Sequence, residues 1–272
     1  MAVFEWRQTG QAVSPPPDGH AARWWHWRNL LLPASGVVAV MIWELVIRLG
    51  NYPAFILPPP GRVLARGLIV AADGTLWRHT RVTLSEILLG LALGLIVAWG
   101  LGYLLAKSRT LERALSPYIV ASQSVPIVAI APLLVIWFGS EITSKVLICA
   151  LIVFFPVLIN TIVGIRSVEP ELRDLMRSLK ATRGQTFLKL EVPAALPALL
   201  GGLKIGATLS VIGAVVGEFV GADAGLGFLI NAGRGLYDTA LMFVAIFVLV
   251  AIALSLYGLV ALLERWLLAW RR

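Results

Sequence analysis

The chain has 272 residues, 58% of them hydrophobic and 14% charged, with 23 Lys and Arg against 15 Asp and Glu, a formal charge of +8 and a mean hydropathy of +0.85. So apolar a chain exceeds what a soluble domain carries and reads as an all-α polytopic membrane protein. Its positive residues cluster beside apolar runs, which is how membrane topology is set and argues against nucleic-acid binding.

The single cysteine, Cys149, lies within an apolar run, so no internal disulfide forms. His20, His26 and His79 fall outside the runs and lack the spacing of a metal site, so no bound metal or cofactor is expected.

Residues 1–29 read as a tail, disordered over its first 23 residues, with Pro15, Pro16, Pro17 and Gly19 and no sustained period. Trp24, Trp25 and Trp27 follow as interfacial anchors. The remainder, 30–272, reads as one membrane domain. The first run starts too late and is too long for a cleaved signal peptide.

Six runs are long enough to span a bilayer: Leu30 to Leu49, Leu84 to Leu105, Tyr118 to Phe138, Val146 to Ile165, Leu199 to Val220 and Leu241 to Leu263. The connections rich in Lys and Arg place both termini and the central loop in the cytoplasm, with Lys145 and Arg234 alone in outer connections. One outer connection, Tyr52 to Arg81, is basic against that rule, and five agreeing segments outvote it.

Within the runs, Glu44 and Arg48 stand one helical turn apart and can pair. Gly90 and Gly94, then Gly213, Gly217 and Gly221, repeat every four residues and lay a flat strip on each helix, where another backbone can approach. Pro126 and Pro132 interrupt the third run beside Ser122, Gln123 and Ser124. Backbone freed there needs protein or water around it, which makes this stretch either a path lining or a simple kink. Asn160 is a further polar candidate. Glu218 has no partner nearby in sequence and reads either as a gate or external contact, or as an interfacial carboxylate.

The central loop, about 166–198, is polar and basic between two apolar runs. Leu172, Leu175, Met176 and Leu179 recur at helical spacing and make one apolar stripe. After a break near Lys180 to Gly184, Thr182 can cap a second helix that Pro193 is expected to end. A lipid-resting helix and a docking surface share this signature.

The loop resembles the EAA loop of ABC-importer permeases. Asp174-Leu175-Met176, Lys180 and Leu190-Glu191-Val192-Pro193 fall in the register of that family's Glu-Ala-Ala, Gly and Ile-x-Leu-Pro. Lys180 departs most, because the family's glycine permits a turn with positive φ; Gly184 or another type of turn offers a substitute. Further resemblance covers roughly Leu57 to Leu263. Pro58 to Pro60 with the following segment looks like that family's external amphipathic helix. VPIVAIAPLLVIWFGSEITSKV with FFP, and IGAVVGEFVGADAGLGFLI, resemble the nitrate, sulfonate and taurine branch, leaning toward its pyrimidine and riboflavin members.

The resemblance implies a type I importer permease with six spans, working as a homodimer. Two cytoplasmic ATPase subunits would hold ATP and Mg, and an external binding protein would deliver solute at a bacterial inner membrane. ATPase coupling would fall to Asp174, Leu175, Met176, Leu179, Lys180, Ala181 and Pro193. The translocation path would involve Ser122, Gln123, Ser124, Pro126, Asn160 and Glu218.

The chain carries no G-x-x-x-x-G-K-[ST] loop and hence no ATPase site of its own. A gradient-driven carrier is the competing reading, against which stand the few charged groups in the spans and the lack of a repeat between halves. A membrane enzyme lacks any catalytic motif.

Overall fold

The computed structural model describes residues 21–269, with side chains from residue 34 onward. The expected disordered tail up to residue 20, the indoles of Trp24, Trp25 and Trp27, and Arg271 and Arg272 lie outside the described residues. Two compact units divide between Tyr52 and Pro53. The first holds one helix, α1 (Ala21–Gly50), on which Arg48 Nε donates to Glu44 Oε1 at 2.9 Å, the expected pairing.

In the second unit every regular element among the described residues is a helix. Pro60 opens α2 (Pro60–Ala72), where a missing N–H costs nothing and a fixed φ favours the helix. Helix α2 buries Val63 and Val70 and is tied by Arg66 Nε to Asp238 Oδ2 at 2.7 Å. Then come α3 (Thr75–Lys107), α4 (Arg109–Ser124), α5 (Ile127–Phe138) and α6 (Ile142–Arg166). The central loop contributes α7 (Pro170–Ser178) and α8 (Arg183–Thr186), and α9 (Val192–Gly221), α10 (Leu226–Gly235) and α11 (Thr239–Leu267) complete the unit.

Helix α6 is the spine of the core, packed along α3 on one side and α9 on the other. The glycine strips make this possible. A Cβ on Gly90 would overlap the Cys149 side chain, and one on Gly213 would stand 2.7 Å from Cys149 Cα, so Cys149 is wedged between two glycines. A Cβ on Gly94 would reach Ala150 O at 2.9 Å and one on Gly217 would reach Lys145 Cα at 3.2 Å. In a membrane, where apolar burial drives little association, such close backbone approach supplies the dispersion contacts that hold helices together.

Among the described residues, four helical stretches are long and apolar enough to cross a bilayer: Thr75–Lys107, Ile142–Arg166, Arg183–Gly221 and Thr239–Leu267. A fifth results if α4 and α5 count as one broken span. The expected run Tyr118 to Phe138 is therefore not a single rod, for α4 and α5 meet at 93°. Pro126 offers no N–H and forces Val125 to φ −82°, ψ 120°, outside the helical region. The expected first span falls within α1, which is not among these stretches of the described residues.

Lys145 also departs from expectation. It belongs to α6 instead of a connection, is only 4% exposed, and its ammonium donates to Ser140 O.

Candidate functional site

The central loop folds as two short helices around a sharp turn. Pro170 starts α7, Glu171 sits in its first turn and Arg177 in its last, each complementing the helix dipole. The helix stops at a Schellman turn: Lys180 N–H donates to Arg177 O at 2.9 Å and Ala181 N–H donates to Met176 O at 3.0 Å. The left-handed residue of that turn is Lys180, with φ +49°. The lysine thus adopts the conformation for which glycine is suited, while Gly184 lies inside α8.

On the far side of the turn, Thr182 and Gln185 form a capping box. Gln185 N–H donates to Thr182 Oγ1 at 3.3 Å, and Thr182 N–H donates to Gln185 Oε1 at 2.8 Å. The second helix does not end at Pro193, contrary to expectation. Phe187–Glu191 widens into a π turn and α9 begins at Val192, so Pro193 occupies the first turn of a helix that continues to Gly221. A proline at this position is tolerated because the wider turn has already displaced the hydrogen-bond register.

Two contacts anchor the loop to the bundle, and a third braces the helix that leads into it. The Glu191 carboxylate, 1% exposed, accepts from Lys107 Nζ and from Tyr103 Oη, the latter at 3.3 Å. Arg173 Nη2 donates to Ile165 O at 2.8 Å. Arg166 grips both oxygens of Glu112 at 2.6 Å each, a bidentate fork that ties α6 to α4. By contrast, the apolar stripe on α7 stands free of this chain: Leu172, Leu175 and Leu179 are 40%, 54% and 67% exposed. Met176 is half-buried, while Asp174 is exposed and bonded to Arg177 at 2.9 Å. Ala181 is half-buried beside the turn.

The expected path residues do not meet in one place. Ser122 and Ser124 are exposed on α4, where their hydroxyls donate to Tyr118 O and Val120 O at 2.7 and 3.2 Å. Gln123 borders a cavity of about 580 Å³ with Ile119, Leu158, Ile162 and Arg166. Asn160, held by Pro156 O at 2.8 Å, does not border that cavity; it lies where Gly202 of α9 makes room for it.

Glu218 is 1% exposed and does have partners. Its Oε1 accepts from Thr83 Oγ1 at 2.6 Å and its Oε2 accepts from Gly227 N–H. Leu226 N–H donates to Thr83 Oγ1 at 2.8 Å and Gly225 N–H to His79 Nδ1 at 2.9 Å. Three successive backbone donors at the start of α10 are thus capped by side chains from α3 and α9, which otherwise would be left without partners. Gly225, at φ +121°, leaves no space for a Cβ beside the Glu218 carboxylate. Glu86, 2% exposed on α3, completes this polar core. Sequence reading missed His79, Thr83 and Glu86 here, although Thr83 and Glu86 lie one turn apart at the edge of the second run.

Comparison with known proteins gives a consistent picture. The family model described as a binding-protein-dependent transport system inner membrane component matches residues 90–269. A riboflavin transport system permease protein of Chloroflexus aurantiacus is 47% identical, covering 97% of this chain and 98% of its own. A formylaminopyrimidine transport permease protein of Halalkalibacterium halodurans is 36% identical over 87% of this chain and 94% of its own. A taurine transport system permease protein of Escherichia coli is 35% identical over 90% and 93%. In fold, the chain is similar to the inward-facing methionine ABC transporter MetNI, with a TM-score of 0.65 at 19% identity over 72% of this chain and 98% of that one.

Proposed function

Because the chain belongs to the binding-protein-dependent transport system inner membrane components, and so is a permease subunit of an ABC importer for a small solute, we propose the following assembly. Two copies form the path, and each central loop docks into a groove on one of two cytoplasmic ATPase subunits, which bind ATP and Mg. An external binding protein supplies the solute. The setting is the inner membrane of a bacterium, with six spans per copy (α1, α3, the bent α4–α5 pair, α6, α8–α9 and α11) and both termini cytoplasmic, as the distribution of Lys and Arg favours.

The observation that carries the docking role is the unpartnered stripe of α7, exposed at Leu172, Leu175 and Leu179 and held out by the turn at Lys180. Asp174, Leu175, Met176, Leu179, Lys180 and Ala181 would meet the ATPase. Pro193 would sit where the loop passes into α9. ATP-driven approach of the two ATPases would then move the loops, and with them α9, as rigid bodies.

Ser122, Gln123 and Ser124, all exposed in the last turn of α4 next to the Pro126 bend, suit a path shared between two copies. Asn160 would extend it from α6. Glu218 would act on the path by fixing α10 beside it. For the solute, we favour a riboflavin-like or pyrimidine-like heterocycle, in keeping with the 47% identical riboflavin permease and the sequence lean.

Site-directed cross-linking tests the docking. Cys149 is fully buried, so Leu175→Cys introduces the accessible thiol. A cross-link from Leu175→Cys to the co-expressed ATPase, absent when the cysteine replaces Gly100 in α3, supports the reading. Reaction only with lipid-borne maleimide would point to a helix resting on the membrane and overturn the docking role of this loop.

A further inference from the structure

Where α3 ends beside the central loop, two cavities of opposite character share a wall. The first, about 710 Å³, is bordered by Lys107, Arg173, Arg177, Arg183 and Tyr103, with the single carboxylate of Glu191 among them. The second, about 370 Å³, is lined almost wholly by apolar side chains, among them Trp99, Leu196, Leu200, Leu203 and Leu263. Tyr103 belongs to both, and Phe187, edge-on to the Tyr103 ring at 5.0 Å between centroids, lines the apolar one.

The basic cavity carries unbalanced charge. Lys107 is matched by Glu191 and Arg177 by Asp174, which leaves the guanidinium groups of Arg173 and Arg183 against no carboxylate in any ion pair of the described residues. Arg173 Nε is also buried without a hydrogen-bond partner. A buried donor left unpaired is unfavourable, so the site favours an acceptor group. Guanidinium groups are suited to phosphate oxygens in particular.

Trp99, Tyr103 and Lys107 stand at intervals of four on α3 and form one stripe, apolar, then amphipathic, then charged. That is the polarity profile of a membrane leaflet from acyl chains to headgroup.

We propose that this composite site binds one anionic phospholipid, its phosphodiester in the basic cavity and an acyl chain in the apolar cleft. A soluble anion would use the cavity and leave the cleft idle, and an acidic protein surface would do the same; a phospholipid uses both. The membrane supplies it at the right depth, since α3, α9 and α11 all contribute walls and all belong to spanning stretches. The acyl-chain cleft lies between helices of the bundle, while the headgroup cavity shares Arg173 and Arg177 with α7, so ATPase binding is read alongside lipid retention.

Native mass spectrometry of the full chain, with its ATPase where the two co-purify, tests this after transfer from nanodiscs of mixed phosphatidylethanolamine and phosphatidylglycerol. Wild type should retain about one phosphatidylglycerol per chain in preference to phosphatidylethanolamine. Arg173→Gln with Arg183→Gln should lower that retention about thirtyfold, in line with two lost headgroup attractions. Leu196→Trp, which fills the cleft, should lower it comparably while leaving binding of inorganic phosphate unchanged. Each variant is judged only as a monodisperse peak.

Equal retention of the two lipids, or retention indifferent to both variants, overturns the proposal. So does displacement of the lipid by millimolar inorganic phosphate in wild type, which would make the site one for a soluble anion. Loss of ATPase binding in the arginine variant with lipid retention intact would make the cavity a protein contact.

Discussion

Replacing Lys180 by glycine should stiffen the central loop. Lys180 holds φ +49° in the Schellman turn that ends α7. For a residue with a Cβ this conformation costs about 1–2 kcal/mol, which glycine escapes. Glycine in turn loses more backbone freedom on folding, about 0.5–1 kcal/mol, so the net stabilisation is about 0.5–1 kcal/mol.

The affected equilibrium is local opening of the turn, read at the Ala181 amide, which donates to Met176 O at 3.0 Å. Hydrogen exchange there, corrected for intrinsic rates, should slow about two- to fivefold in Lys180→Gly. Lys180→Val, β-branched and poorly suited to positive φ, should quicken it. Unchanged or faster exchange in Lys180→Gly would refute the assignment of strain to this lysine.

Gly213→Ala should drive a methyl into the Cys149 backbone, 2.7 Å away, and cost about 1–3 kcal/mol as overpacking; a lower SDS midpoint for unfolding checks it, with Gly100→Ala, which meets open space, unchanged. Gly217→Leu, opposite Lys145, should lower the yield of assembled complex on size exclusion, and an unaffected yield would place that strip against lipid. Glu191→Gln should remove the charge partner of Lys107 and cost about 1–2 kcal/mol, less than a fully buried pair because the lysine side chain is 43% exposed; faster exchange across residues 183–191 would report it. Asp174→Lys should abolish ATPase association without affecting membrane insertion, and transport at the wild-type rate would count against the docking role.

What could be read from the sequence was local periodicity. The four-residue glycine spacing located the α6 contacts, the Leu172 to Leu179 stripe located α7, and Thr182 was legible as a cap, because each signal lies within one or two helical turns. The register of the loop placed a turn at Lys180, yet the residue there obscured its left-handed conformation. Pro193 misled because a proline ends a helix in the common hydrogen-bond register, and the π turn at Phe187–Glu191 had changed that register. Glu218 gave no sign of its partners, since Thr83 is 135 residues away in sequence. Lys145 looks like a loop residue in sequence only because it precedes the uninterrupted apolar run; in the structure it is buried in the first turn of α6, where its ammonium donates to Ser140 O.

The central claim is that the loop of this permease engages an ATPase. Its most direct test is co-purification in detergent of the tagged chain with the co-expressed ATPase, comparing the natural loop with one in which residues 174–180 are scrambled. The account predicts stable association with the natural loop and its loss on scrambling, with both chains equally monodisperse. Association that survives scrambling, or fails with the natural loop while the chain is folded, would contradict it.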